Sequence, residues 1–373
     1  MTKKILFIPT NSWAAWGGSE LLWAQMAILF HENHYDTGIY IKKWLTTPPE
    51  LDAITKVIPA QSQPYVINDW HKGLLRLAGI EYEQRVKKGL AKINPDFAII
   101  SQGVNIDGLM WLEACRELGI PFVTISQSVQ DFHWPEAALV LRLRQGFTDA
   151  KANYFVSNAN KLQTEKQIGY SVPNAEVIFN PFNVDFHQVP EYPKGDIMQL
   201  GCVARYDFYC KGQDILLEAL NQKKWRERPI MINFYGKGPN EFILGELIKR
   251  WNLSGITSIK GHVPPGDIWK TNHALVLPSR YEGLPLALVE ALVSARTAIV
   301  TNVSGNGEVL LDNVTGFLAK ACTCEMLDEA LERAWQVRDQ WQQTGARARE
   351  HILTIVPENP ARYLFDKIRA DFL

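Results

Sequence analysis

The stretch Pro278–Leu292, PSRYEGLPLALVEAL, decides how this chain folds. Before it stands Ala274-Leu-Val-Leu277, a short apolar run closed by Pro278, which reads as a buried parallel strand. Gly283 and Pro285 mark a tight entry, with Pro285 at a first helical position where its missing N–H costs nothing. A helix follows from about Leu286, with Leu286, Val289, Leu292 and Val293 on its apolar stripe. Glu282 therefore stands on a loop at the carboxyl end of a strand, and Glu290 lies into the helix, roughly 8–12 Å further along the backbone. Two acids so spaced suit the two ends of one extended polar ligand and are too far apart for a shared-proton dyad. Between them the N–H groups of Gly283 and Leu284 sit at the positive end of the helix dipole, where a phosphate is favoured. A sugar–diphosphate–ribose fits that order of charges.

Working outward, 373 residues of which 46% are hydrophobic can bury one large or two ordinary cores, and alternating strand and helix patterns favour two α/β domains. The net charge of -1 gives no electrostatic footprint for nucleic acid. The five cysteines, Cys115, Cys202, Cys210, Cys322 and Cys324, form no C-x-x-C pair and read as reduced cytosolic thiols. The opening run Ile5–Pro9 is too short for a signal peptide and is a first strand. No run of some 18 apolar residues is present to span a membrane. The sequence thus predicts a cytoplasmic protein.

Upstream, the first strand leads through Trp13 and Trp16 to Gly17-Gly18-Ser19-Glu20 at the start of a helix. Glycines at such a turn let a phosphate or sugar approach the backbone, although an ordinary turn with Ser19 as N-cap fits equally. Trp16 could wall an acceptor site or simply pack. The run Trp70–Lys92 carries Lys72, Arg76, Arg85, Lys87, Lys88 and Lys92 on a helical pattern and reads as a solvated charged face or as a peripheral membrane contact. Strands at Phe97–Ser101 and Pro121–Ser126 follow, and the loop after the second holds Gln127 and His133. Residues 186–196, with Pro190 and Pro193, read as an interdomain linker.

Beyond the linker, the strand Gln199–Ala204 ends on Arg205, and Lys211-Gly212-Gln213-Asp214 opens a helix. A planar fork and a point charge beside a helix N-terminus suit a diphosphate, although surface cations are common singly. The strand Ile230–Tyr235 ends in a Gly236-Lys-Gly-Pro239 turn, and Ile259-Lys-Gly-His-Val-Pro264 repeats the theme.

Taken in order, G-G-x-E, R-x5-K-G-x-D and the E-x7-E of Glu282 and Glu290 resemble the retaining nucleotide-sugar glycosyltransferases of the group 1 (family 4) class. The resemblance implies an α/β GT-B fold, two Rossmann-like domains facing across a cleft, with the C-terminal helix crossing back to the N-terminal domain. It divides the chain into an acceptor-binding domain, 1–186, a nucleotide-sugar-binding domain, 187–356, and a returning helix, 357–373. It implies a hexosyl or N-acetylhexosaminyl donor, most simply UDP-linked, a glycan or lipid-linked acceptor, and peripheral contact with the inner face of the membrane. No metal or other cofactor is expected, because side-chain cations neutralise the phosphates. Arg205, Lys211 and the Gly283–Leu284 main chain would stabilise the leaving diphosphate, with Glu282 on sugar hydroxyls and Glu290 on the ribose. Gly17, Gly18, Pro285 and the backbone at Gly236, His262 and Val263 would complete the donor site. One departure stands out: where many relatives carry a histidine after the second of the two strands, this chain has Gln127, with His133 six residues on. A same-fold epimerase, a glycan phosphorylase and a non-catalytic sugar-nucleotide binder remain alternatives. A dinucleotide oxidoreductase is disfavoured, because the first glycine loop is not G-x-G-x-x-G.

Overall fold

A computed structural model describes residues 2–11, 15–63 and 82–373. The chain divides into two units, Met1–Pro181 with Asn359–Leu373, and Phe182–Glu358. The division falls five residues before the expected 186/187 boundary, because Asn183 and Phe186 are already hydrogen-bonded to the second unit.

In the first unit the described residues form a seven-stranded parallel sheet from β1 (Lys4–Pro9), β2 (Asp36–Ile41), β3 (Ala60–Ser62), β4 (Phe97–Gln102), β5 (Phe122–Ser126), β6 (Ala152–Phe155) and β7 (Ala175–Val177). Its order is β3-β2-β1-β4-β5-β6-β7. Strands β4, β5 and β6 are buried along their whole length, as strands covered on both faces by helices must be. The helix Gly18–Glu32 and the C-terminal helix Pro360–Phe372 share one apolar cluster with β1, and the Phe30 and Phe365 rings meet edge to face at 4.7 Å. The last helix therefore belongs to the first unit's core. Among the described residues no helix is long and apolar enough to cross a membrane.

The second unit holds a six-stranded parallel sheet from β8 (Met198–Val203), β9 (Ile230–Tyr235), β10 (Thr257–Gly261), β11 (Ala274–Leu277), β12 (Thr297–Thr301) and β13 (Phe317–Ala319), in the order β10-β9-β8-β11-β12-β13. Its core is anchored by Trp225 and Trp341, both fully buried. The order reverses between β1 and β4 in one sheet and between β8 and β11 in the other. At such a point the connections leave in opposite directions and open a crevice at the carboxyl ends of the strands, where open α/β sheets bind ligands.

Candidate active site

The crevice of the second unit gathers most of the residues singled out from the sequence. Arg205 and Lys211 follow β8, and Glu282 to Glu290 follow β11, its neighbour across the reversal. Their approach depends on small residues. Gly212 has φ of +63°, and a Cβ there would run into the Pro278 carbonyl. Gly236 has φ of +141°, and a Cβ there would strike the carbonyl of Ala204, so the turn after β9 lies against the end of β8. A short helix, Phe208–Lys211, ends at Gly212, and the next helix, Gln213–Leu220, begins directly after it. Gln213, fully buried, donates from Nε2 to the Arg205 carbonyl at 2.8 Å and ties the two cation-bearing segments together.

Lys211 Nζ donates to both carboxylate oxygens of Glu282 at 2.7 Å, and Ser279 Oγ donates to the first of them at 2.7 Å. Glu282 is 6% exposed, so the ammonium is what keeps its buried carboxylate compensated. The sequence left Glu282 open to a ligand; the fold places it on Lys211. Arg205 is likewise held by Asp207, while Arg280 forks onto Asp214 at 2.7–2.8 Å. Between the acids, the helix Leu286–Val293 starts with Pro285 as N-cap, one position earlier than a first helical residue. Glu282 N–H donates to Ser304 Oγ, and the Gly283 and Leu284 N–H groups have no partner among the described residues. They stay available to an anion. His262 and Val263 follow β10, His262 exposed, and the Gly236 N–H donates to the Gly261 carbonyl at 2.8 Å.

Glu290 lies in the same helix at 3% exposure. Its Oε1 accepts from the Asn183 N–H at 3.0 Å and from Asn183 Nδ2 at 3.3 Å. Burial without a cation pushes its carboxyl up to about 6, the Asn183 hydrogen bonds only partly opposing this. Because the folded value is raised, the acid favours the folded state when protonated: its contribution is complete below the unfolded value near 4.5 and is lost as pH rises through about 6. Wild type should therefore lose about 2 kcal/mol relative to Glu290→Gln between pH 4 and pH 7.5. Denaturant titrations of both proteins across that range measure the difference, and parallel pH profiles would contradict it.

In the first unit, Gly17 is the N-cap of its helix in extended backbone and Gly18 the first helical residue. Ser19 is not the cap; its hydroxyl donates to Glu20 at 2.6 Å, and Asn11 Nδ2 donates to the same carboxylate at 2.9 Å. Glu20 is buried, and burial raises its carboxyl. Trp16 packs edge to face on Trp23 at 6.2 Å. Gln127 is buried after β5, accepting from Asn180 Nδ2 at 2.7 Å, with its own amide nitrogen unpartnered among the described residues. His133 is exposed, and its carbonyl accepts from Gln167 at 2.8 Å. Trp13, Lys72 and Arg76 lie outside the described residues, and Lys87 of the same basic run pairs with Glu117 at 2.7 Å. The sequence reading missed Asp107, whose burial pushes its carboxyl up to about 6 at the carboxyl end of β4. It also missed Asn183 and Gln213, since an uncharged amide carries no sequence signal until its partner is known.

Residues 187–351 match the family model for group 1 glycosyl transferases. The second unit belongs to the group 1 glycosyltransferases. Poly(ribitol-phosphate) alpha-N-acetylglucosaminyltransferase of Staphylococcus aureus (strain COL) is 24% identical over 212 residues, 54% of this chain and 42% of that protein. Glycogen synthase of Pseudomonas savastanoi pv. phaseolicola is 40% identical over 263 residues, 65% of this chain and 52% of that protein. The chain thus spans about half the length of these curated relatives. Among solved structures, Anabaena HepE in complex with UDP-glucose superposes with a TM-score of 0.75 at 15% identity, covering 99% of this chain and 100% of that one. A likeness at that identity concerns the fold, and the chain as a whole has the GT-B fold, with a group 1 unit at 187–351.

Proposed function

We propose that the chain is a retaining glycosyltransferase that moves a hexosyl or N-acetylhexosaminyl unit from a nucleotide-diphosphate sugar, UDP-linked, to a glycan or lipid-linked acceptor in polysaccharide or glycoconjugate synthesis. The observation that carries this reading is the crevice at the β8/β11 reversal, where Lys211, Glu282 and the open Gly283 and Leu284 N–H groups stand together and Glu290 is buried further along the same helix. A diphosphate arriving there competes with Glu282 for Lys211 and meets the helix N-terminus, so the charge that builds on the leaving group is met by preorganised donors. Glu282, freed in part from the lysine, accepts from sugar hydroxyls, and Glu290 accepts from the ribose. The bond from the sugar's anomeric carbon to the phosphate oxygen breaks while the acceptor oxygen bonds that carbon on the same face. The acceptor's proton passes to the departing phosphate oxygen, so no protein nucleophile is required and Gln127 in place of a histidine is tolerable.

Arg205 and Lys211 supply the positive charge, and the reading calls on no metal or other cofactor. UDP-linked donors are favoured because HepE was crystallised with UDP-glucose and the S. aureus relative is named as an N-acetylglucosaminyltransferase. The five free thiols suit a reducing compartment, in keeping with a cytoplasmic enzyme that meets lipid-linked acceptors at the inner face of the membrane.

Incubation with UDP-, GDP- and ADP-linked sugars, followed by product analysis with and without phosphate, tests the proposal. Slow hydrolysis of one donor, with the released sugar keeping its anomeric configuration, is expected. An epimerised nucleotide sugar, or phosphate-dependent release of a sugar phosphate, would assign the crevice to a different reaction. Calorimetry without heat for any nucleoside diphosphate would reject a nucleotide site altogether.

A further inference from the structure

We infer that Asn183 is a positioning residue for Glu290, so that the connector entering the second unit takes part in recognising the nucleotide's ribose. The inference rests on the nucleotide-sugar reading above. Glu290 is buried in the Leu286–Val293 helix, and no lysine, arginine or histidine pairs with it among the described residues. Both donors of Asn183, main chain and side chain, converge on the same oxygen, Oε1. Two donors on one oxygen fix the plane of the carboxylate and leave Oε2 to a ligand. A buried carboxylate with half its acceptor capacity unused is costly unless a donor arrives. The hydroxyls of a ribose are donors of the right kind, and they need an acceptor whose direction is already set.

Asn183 can set that direction because the connector is fastened along the same helix at two further places. Arg349 bonds the Val293 carbonyl at the helix end and the Phe186 carbonyl of the connector, the latter at 2.7 Å. Arg296 reaches Ser294 O at 3.0 Å on one side and Pro190 O and Glu191 O at 3.1 and 2.8 Å on the other. Residues 183–191 thus follow the Glu290 helix with three points of attachment, and the first of them is the carboxylate itself. An asparagine serving only to tether a loop would have no reason to direct both donors at a functional acid. The second unit begins at Phe182, so this contact lies one residue into it. Ribose binding is thereby registered at the chain's entry to the unit.

The test is a calorimetric comparison of UDP with 2′,3′-dideoxy-UDP on wild type, Asn183→Ala, Asn183→Ser, Glu290→Gln and the Asn183→Ala/Glu290→Gln pair. Wild type should prefer UDP by about tenfold or more, the worth of a charge-assisted hydrogen bond. Asn183→Ala should weaken UDP by about fivefold and leave dideoxy-UDP within about twofold, since the main-chain donor remains. Asn183→Ser, which keeps a side-chain donor, should recover part of the loss, and the double variant should bind UDP no worse than Glu290→Gln alone. Equal weakening of both nucleotides by Asn183→Ala, or no weakening of either, overturns the positioning role. Equal wild-type affinity for the two nucleotides removes the ribose from Glu290 and overturns the inference with it. If wild type binds neither, while heat with GDP or ADP is also absent, the nucleotide reading itself has failed and not merely the part given to Asn183.

Discussion

Lys211→Ala is expected to lower turnover with the preferred donor about a hundredfold, the cost of removing a preorganised charge-stabilising group from a transition state. The structure adds a second consequence. Lys211 is the cation on Glu282, so alanine leaves that buried carboxylate with Ser279 Oγ, on one of its two oxygens, as its remaining donor among the described residues. Breaking one side of a buried pair is worth about 3–5 kcal/mol where the site is fully closed, and Lys211 is 23% exposed, so a smaller loss of about 1–3 kcal/mol applies here. The two effects separate in the Lys211→Met/Glu282→Gln pair. Neutralising both partners should restore most of the stability and none of the turnover, because a neutral pair needs no compensation but still offers the diphosphate no charge. Steady-state rates beside denaturant midpoints read both quantities. A folded Lys211→Ala protein with turnover within a few-fold of wild type would remove Lys211 from the chemistry.

Arg296→Ala should be the most destabilising of the substitutions considered, by about 3–5 kcal/mol. The guanidinium is 1% exposed and no carboxylate pairs with it among the described residues. It is solvated instead by carbonyls: Nε and Nη2 reach Trp269 O at 2.9 and 2.6 Å, and further bonds go to Ser294, Pro190 and Glu191, with the Tyr192 ring 5.2 Å away. Burial lowers its pKa to about 10, which still leaves it charged at neutral pH. Alanine would take this donor from four carbonyls at once, two of them, Trp269 O and Ser294 O, in buried contacts that carry their own desolvation cost and two, Pro190 O and Glu191 O, in partly buried ones. Arg296→Lys retains a charge but cannot span the same fork, so it should recover only part of the loss. Guanidinium titration with an unchanged m-value measures the effect, and faster hydrogen exchange at the Glu191 and Tyr192 amides locates it. A loss under about 1 kcal/mol would show that the connector is held by something else.

How far these outcomes could be foreseen differs from residue to residue. The strands were legible because buried parallel strands are nearly continuous apolar runs, and Ala274–Leu277 and Phe97–Gln102 appear where the run of side chains puts them. The sequence reading did not single out β2, whose burial is mixed and whose run DTGIYI contains a glycine and a charge. Glycine positions likewise announced the turns after β8 and β9, since only glycine accepts the close backbone contacts at Gly212 and Gly236.

By itself the sequence determined the α/β class, the apolar central strands of each sheet, the charged residues at strand ends, and the spacing of Glu282 and Glu290. All of these follow from local rules, namely periodicity, turn chemistry and helical rise. Tertiary structure alone decided which charges meet: Lys211 and Glu282 across 71 residues, Asn183 and Glu290 across 107, and the last helix beside Phe30. The Lys211–Glu282 pairing depends on the order of strands in the sheet, which puts β11 beside β8 rather than beside β10, the strand before it in the chain. Sheet order is set by how whole layers bury their apolar faces, a sum over the unit that no window of sequence contains.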